Sequence, residues 1–270
     1  MFKNIGFIGT GAMGGAVARI TAAGDPSARL YLSNRTAEKA CRLAGEIPGA
    51  AVSSNEEIAG LCDLIFLAVK PQVMPQALPA IAPALAARQD PFVLVTMAAG
   101  LTCQTIRQLA GGPYPVIRMM PNTPITVNAG AIQYCGLGVT EEQLAAFAAL
   151  LQGAGTVDEL PEHLIDAASA LSGCGPAFVC QFIEALADGG VACGLPRQKA
   201  LAYAAQMVEG TARMVRLSAR HPGALKDMVC SPAGSTIQGV RTLERAAFRG
   251  AAMDAVIAAY EKNLELKEGK

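Results

Sequence analysis

The feature that most restricts what this chain can fold into is Gly9-Thr10-Gly11-Ala12-Met13-Gly14. It follows the apolar run Ile5–Ile8 directly and opens a helical stretch over Gly14–Ala23. Three glycines at this spacing between a strand and a helix do separate things. Gly9 makes the tight turn, Gly11 lets the backbone approach a pyrophosphate, and Gly14 lets the helix pack closely on the strand. The helix start adds free N–H groups and a partial positive charge, which suit phosphate. In that strand–turn–helix setting, Gly9, Thr10, Gly11, Ala12, Met13 and Gly14 read as a dinucleotide cradle.

The rest of the first half agrees. Leu30–Leu32, Leu64–Val69, Phe92–Met97, Val116–Met119, Ala131–Tyr134 and Thr156–Leu160 are strand candidates, with helical patterns at Ala37–Ala44 and Glu141–Gln152. Unbroken apolar strands are what a parallel sheet covered on both faces requires. From Leu164 onward strand signals vanish. Helical stretches follow at Pro176–Val191, Pro196–Ser218, Ser235–Arg245 and Gly250–Leu266. The expected fold is therefore α/β: a Rossmann-type doubly wound sheet over residues 1–160, followed by an all-α domain over 161–270. The Pro196 helix is apolar on several faces, so it must be buried, and a helical domain of this size cannot cover it alone. Association of subunits through the helical domain, a homodimer or a higher oligomer, is the expected remedy, the alternative being a compact monomeric bundle.

Composition removes other classes. With 22 basic and 22 acidic residues the formal net charge is zero, which lacks the basic footprint of a nucleic-acid binder. Hydrophobic residues make up 52% and charged ones 16% of the chain, yet Gly, Pro or a charge interrupts every apolar run before the ~18 residues of a membrane span. The first twenty-four residues could mimic a secretory signal, but Lys3 is a thin basic region, glycine dominates the apolar part and a strand pattern begins at Phe2, so a mature, cytosolic protein is the expectation. The eight cysteines form no C-x-x-C pair and there are two histidines; reduced, mostly buried thiols in a cytoplasmic protein, with no metal centre, are expected.

The second strand bears on which dinucleotide. An acid about 20 residues after the glycines would hold a ribose 2′-OH. Here the strand ends in Ser33-Asn34-Arg35-Thr36. A guanidinium flanked by hydroxyl and amide donors suits a 2′-phosphate, so NADPH is preferred, with NADH the alternative. Ligands lie beyond the carboxyl ends of parallel strands. That brings Ala68, Val69, Lys70 and Pro71 to the cofactor, with Ala99 of Ala98-Ala99-Gly100 and Asn122 of Pro121-Asn122-Thr123-Pro124. No nucleophile–base triad or carboxylate pair stands out; His163 and His221 read as structural. The stretch Asp227–Gly234 reads as a loop leading into a helix at Ser235-Thr236, a good carboxylate site or else an ordinary cap.

Taken together, these motifs resemble the pyrroline-5-carboxylate reductase family across essentially the whole chain. The resemblance rests on FIGTGAMGG at 7–15, SNRT at 33–36, FLAVKPQ at 66–72 and VIRMMPNTP at 116–124. It rests more specifically on ALSGCGPAFV at 170–179, ADGGVACGLPR at 187–197 and HPGALKDMVCSPAGSTIQGV at 221–240. It implies an NAD(P)H-dependent reduction of a cyclic imine to L-proline, and a helical half that dimerises by exchange between subunits with the site built across that interface. It implies that Ser231, Gly234, Ser235 and Thr236 cradle the substrate, with the Thr236 hydroxyl beside the ring nitrogen as the catalytic group. Glu162 would be a further pocket member, and Asn55 would lie near the adenosine ribose. The chain departs from the family pattern at Ala233, where a second glycine is common, and at Met228 and Cys230, where polar residues occur. Two rivals remain: a β-hydroxyacid dehydrogenase using Lys199 or Lys226 as base, and an NADP-binding sensor without turnover.

Overall fold

The computed structural model describes residues 2–267. Eight strands form one sheet in the order β3-β2-β1-β4-β5-β6-β7-β8. They are β1 Asn4–Ile8, β2 Arg29–Ser33, β3 Ala51–Val52, β4 Leu64–Leu67, β5 Val93–Thr96, β6 Val116–Met120, β7 Gly130–Leu137 and β8 Gly155–Glu159. The first six run parallel; β7 pairs antiparallel with β6 and parallel with β8. The chain winds from β1 to β2 and β3 on one side, then returns to β4 on the other. The order reverses beside β1, the crevice where such sheets take ligands.

Helices cover both faces: α1 Ala12–Gly24, α2 Ala37–Glu46 and α6 Glu141–Leu151 on one, α3 Asn55–Leu61, α4 Met74–Ala86, α5 Cys103–Ala110 and α7 Glu162–Ser172 on the other. Alternating residues of the central strands β1, β4, β5 and β6 enter the two cores. On β4, Leu64 and Phe66 join one layer and Ile65 and Leu67 the other. In the first layer Phe7 stacks on Phe66 with ring centroids 4.4 Å apart. Apolar burial on both sides of one sheet explains the unbroken apolar runs.

The helical part comprises α8 Gly175–Ala192, α9 Arg197–Ser218, α10 Pro222–Val229, α11 Ser235–Arg245 and α12 Phe248–Lys267. Pro176 and Pro222 sit in first turns, where no N–H is missed. The described residues divide into two compact units, 2–173 with 259–267, and 174–258. Strands do end just before residue 160, but α7 belongs with the sheet because Ile165 lies in its core. Contacts therefore divide the chain later than a boundary at 160.

Within the helical unit the buried cluster is small: Ala187, Ala200 and Ala204. Tyr203, Met207, Leu217, Met228 and Met253 are exposed. One point departs from the sequence expectation: Glu162–Ala192 is long and apolar enough to cross a membrane by length and composition, with mean hydropathy 1.3. A turn at Gly173–Cys174 divides it into α7 and α8.

Candidate active site

The glycine turn has the geometry its spacing implies. Gly9 has φ +106°, and a Cβ there would lie 2.6 Å from the Ala68 carbonyl oxygen. A Cβ on Gly14 would lie 2.3 Å from the Gly9 carbonyl oxygen, so neither position admits a side chain. Gly11 is different: nothing lies within 4 Å of where its Cβ would be. It is the N-cap of α1 with no side-chain hydrogen bond closing the helix end. First-turn N–H groups of α1 thus open onto free space, and an anion is what they satisfy best.

The end of β2 is tied to this turn. Gly9 N–H donates to the Ser33 carbonyl at 2.8 Å, and Thr10 N–H to Asn34 Oδ1 at 3.1 Å. Ser33 Oγ donates to Asn55 Oδ1 at 2.6 Å, so Asn55, in the first turn of α3, stands at the same strand end. Arg35 is exposed beyond it. A concavity of about 220 Å³ runs along the outer side, lined by Thr10, Gly11 and Ala12 and by the cations Arg19, Lys39 and Arg42. The buried Thr10 Oγ1 has no partner among the described residues. An open backbone cradle beside several cations fits a dinucleotide with an extra phosphate. Lys39 and Arg42 carry no motif; only their i, i+3 placement on the amphipathic α2 could have marked them.

Of the remaining candidates on the sheet, Ala68 and Val69 follow β4 beside Gly9. Lys70 is exposed and precedes a 3₁₀ turn that starts at Pro71. Ala99 follows β5. Asn122 is already committed: its Nδ2 donates to the Ser172 carbonyl at 2.9 Å and its Oδ1 accepts from Ala131 N–H at 2.9 Å. That amide clamps the end of α7 to β7, which leaves only the backbone of Asn122 for a ligand.

Glu162, at the start of α7, is anchored by the Cys103 N–H, which donates to its Oε1 at 2.7 Å. The same oxygen lies 3.8 Å from Arg118 Nη1. Arg118, in the middle of β6, is fully buried, and its other terminal nitrogen pairs with Asp166, one helical turn beyond Glu162. Lys267 Nζ lies 3.5 Å from the second Asp166 oxygen. A guanidinium inside a sheet core persists only with such partners. Arg118 stands within the VIRMMPNTP motif and Asp166 near the start of α7, but their pairing escapes the motif reading, although an arginine inside the apolar run Val116–Met120 is itself a signal. Close by, the Cys103 and Cys135 thiols and a Glu162 carboxylate oxygen lie within 4.8 Å of one another. The neighbouring thiol, together with burial, raises the Cys103 thiol well above its ordinary range, and the same neighbour lowers that of Cys135.

In the helical unit the loop is shorter than the sequence suggests, because Asp227 to Val229 form the last turn of α10. The connection is Ser231-Pro232-Ala233-Gly234, closed by Gly234 N–H donating to the Ser231 carbonyl at 3.1 Å. Ala233 is left-handed at φ +59°. Gly234 is the N-cap of α11, and no side chain caps that helix. Ser235 and Thr236 occupy its first turn with both side chains exposed. Ser231, Ser235 and Thr236 thus bring hydroxyls to one short loop and an open helix start. His221 caps α10, its Nδ1 accepting from Gly223 N–H at 3.1 Å; His163 is exposed on α7. Lys226 is held by Asp227 at 2.8 Å, and that hydrogen bond raises its pKa, which makes it a poorer base for the hydroxyacid rival.

A doubly wound sheet with an open glycine cradle, joined to a helical unit with uncovered apolar faces, defines a two-part oxidoreductase of the nicotinamide-dinucleotide class. Residues 162–266 match the family described as pyrroline-5-carboxylate reductase dimerisation, and residues 4–100 match NADP oxidoreductase coenzyme F420-dependent. The pyrroline-5-carboxylate reductase of Escherichia coli (strain K12) is 39% identical, over 99% of this chain and 100% of that one. The enzyme of the same name from Arabidopsis thaliana is 39% identical, over 98% of this chain and 95% of that one. The crystal structure of a pyrroline carboxylate reductase from Plasmodium falciparum with NADP bound superposes with a TM-score of 0.83 at 32% identity, covering 98% of each chain. The chain belongs to the pyrroline-5-carboxylate reductase family.

Proposed function

We propose that this chain is a pyrroline-5-carboxylate reductase that transfers hydride from NADPH to the C5 imine carbon of 1-pyrroline-5-carboxylate, giving L-proline in the last step of proline biosynthesis. The observation that carries this reading is the match over nearly the whole chain, at 39% identity, to reductases of that name. The nicotinamide supplies the hydride. The chain's residues bind, orient and exclude water, which suffices because a protonated imine is already electrophilic.

In this reading the backbone of Gly9 to Gly14 holds the pyrophosphate, assisted by the start of α1. Ser33, Asn34 and Asn55 hold the adenosine ribose, and Arg35 takes the 2′-phosphate. Ala68, Val69, Lys70, Pro71 and Ala99 border the cofactor. Ser231, Gly234, Ser235 and Thr236 take the substrate carboxylate and ring nitrogen, and the Thr236 hydroxyl orients that nitrogen. Glu162 is a further pocket member. The exposed apolar faces of the helical unit, and the dimerisation match over them, favour a homodimer. Eight free cysteines favour a reducing, cytoplasmic setting.

Steady-state oxidation of NADPH and NADH with racemic pyrroline-5-carboxylate tests the reading. Turnover is expected, faster with NADPH; Thr236→Ala should lower kcat by about 10²-fold or more, and Arg35→Ala should erase the NADPH preference. Full kcat and KM in Thr236→Ala would remove its assignment. Cofactor binding without turnover would favour the sensor.

A further inference from the structure

Cys103 and Cys135 belong to none of the motifs, and their sequence spacing conceals that they meet. Cys103 opens α5, Cys135 lies within β7, and Glu162 opens α7. The two Sγ atoms and a Glu162 carboxylate oxygen all lie within 4.8 Å of one another. Both thiols are buried, at 1% and 5% exposure. The Glu162 side chain retains 35% exposure, which gives the cluster an entry from solvent. Two sulfurs and one carboxylate, on three separate elements of one core, are a donor set for a soft or borderline divalent cation. Metal–sulfur bonds of about 2.3 Å need the donors only modestly closer than they stand.

The charge around the cluster decides in what form a cation can enter. The buried Arg118 has no hydrogen-bond partner at Nε or Nη1 among the described residues, and Nη1 faces Glu162 at 3.8 Å. The local acids and bases already balance: Arg118 and Lys267 stand against Glu162 and Asp166. A bare cation added there would upset that balance in a low-dielectric core. Exchange of two thiol protons for one divalent cation leaves the buried charge unchanged, and Arg118 then faces a thiolate-rich centre.

The geometry points to a three-ligand site for one zinc-type cation formed by Cys103, Cys135 and Glu162. Both thiol protons go to solvent on binding, two metal–sulfur bonds and one metal–oxygen bond form, and no electron is transferred. The fourth coordination position faces the exposed side of Glu162 and takes water, as three-ligand zinc sites do. A consequence for turnover rests on the proposed function: a metal-bound Glu162 is withdrawn from the substrate pocket, so the cation acts as an inhibitor.

Cd2+ is the probe, added to the reduced, full-length protein and followed by the ultraviolet thiolate-to-metal charge-transfer band. The band is expected to saturate at one Cd2+ per chain with the strength of two thiolates. It should fall to background in Cys103→Ser and in Cys135→Ser, while Glu162→Gln weakens binding about tenfold or more. A band of undiminished strength in both serine variants assigns the metal to other cysteines and overturns the site. Cadmium-113 NMR of the unmutated protein covers the case in which those variants do not fold: a two-sulfur environment supports the site, and any other sulfur number overturns it. Neither readout involves turnover, so the site and the reductase reading fail separately. Cd2+ that binds in this way yet leaves KM for the imine unchanged overturns the link to the pocket alone.

Discussion

Ala233 shows how one residue records both the family and its departure from it. The loop Ser231-Pro232-Ala233-Gly234 places proline second and a left-handed residue third, the arrangement of a type II turn, where glycine is usual. Alanine at φ +59° carries about 1–2 kcal/mol of strain. Glycine would relieve that but gain about 0.4–1 kcal/mol of freedom in the unfolded chain. The strain is the larger effect, so Ala233→Gly should stabilise the protein by about 0.5–1 kcal/mol. Denaturant unfolding at fixed protein concentration checks this, and a lower midpoint would refute the strain. Gly14 offers the opposite case. Its absent Cβ would press on backbone, not on a flexible side chain. Gly14→Ala should therefore lower both thermal stability and NADPH affinity, read by melting and by fluorescence titration. An unaltered NADPH affinity would detach the turn from the cofactor.

At the scale of elements, the sheet was legible because strands buried on both faces must be continuously apolar. The β4 run needs no motif to be recognised. What escaped did so for physical reasons. In α4 the buried residues Met74, Leu78, Ile81 and Leu85 keep a helical stripe, but Pro79 and Pro83 interrupt the solvent side and mask it. In α3 the whole signal is a capping box, Ser54 with Glu57, followed by one short turn or two. Strand β3 has two residues, both exposed, and carries no pattern. The hydroxyl-rich start of α11 was readable at the right residues, whereas the buried ion cluster was not, because Arg118 meets Asp166 only once β6 and α7 pack. That cluster makes its own prediction. Arg118→Leu removes the cation facing two acids, and a broken buried pair costs about 3–5 kcal/mol. Differential scanning calorimetry should show a large drop in Tm at neutral pH. A change of less than about 1 kcal/mol would mean that Asp166 has found another partner.

For the whole molecule, the division of labour follows from where apolar surface is covered. The sheet unit has a core on each face, and its candidate cofactor site stands on backbone features: a glycine turn, helix starts and strand ends. That much is written in local sequence. The helical unit buries little beyond three alanines and leaves Tyr203, Met207, Leu217 and Met253 exposed, more than a soluble monomer ordinarily displays. Sedimentation equilibrium should therefore return at least twice the chain mass of 27.8 kDa at micromolar concentration. A stable monomer would contradict the assignment of those faces to a second copy of the chain. The most direct test of the central claim follows the hydride itself. NADPH carrying deuterium at the transferred C4 position is incubated with pyrroline-5-carboxylate and the purified protein, and the product is analysed by mass spectrometry and NMR. The account predicts L-proline bearing a single deuterium at C5. Unlabelled proline, or no proline while the cofactor still binds, would contradict it.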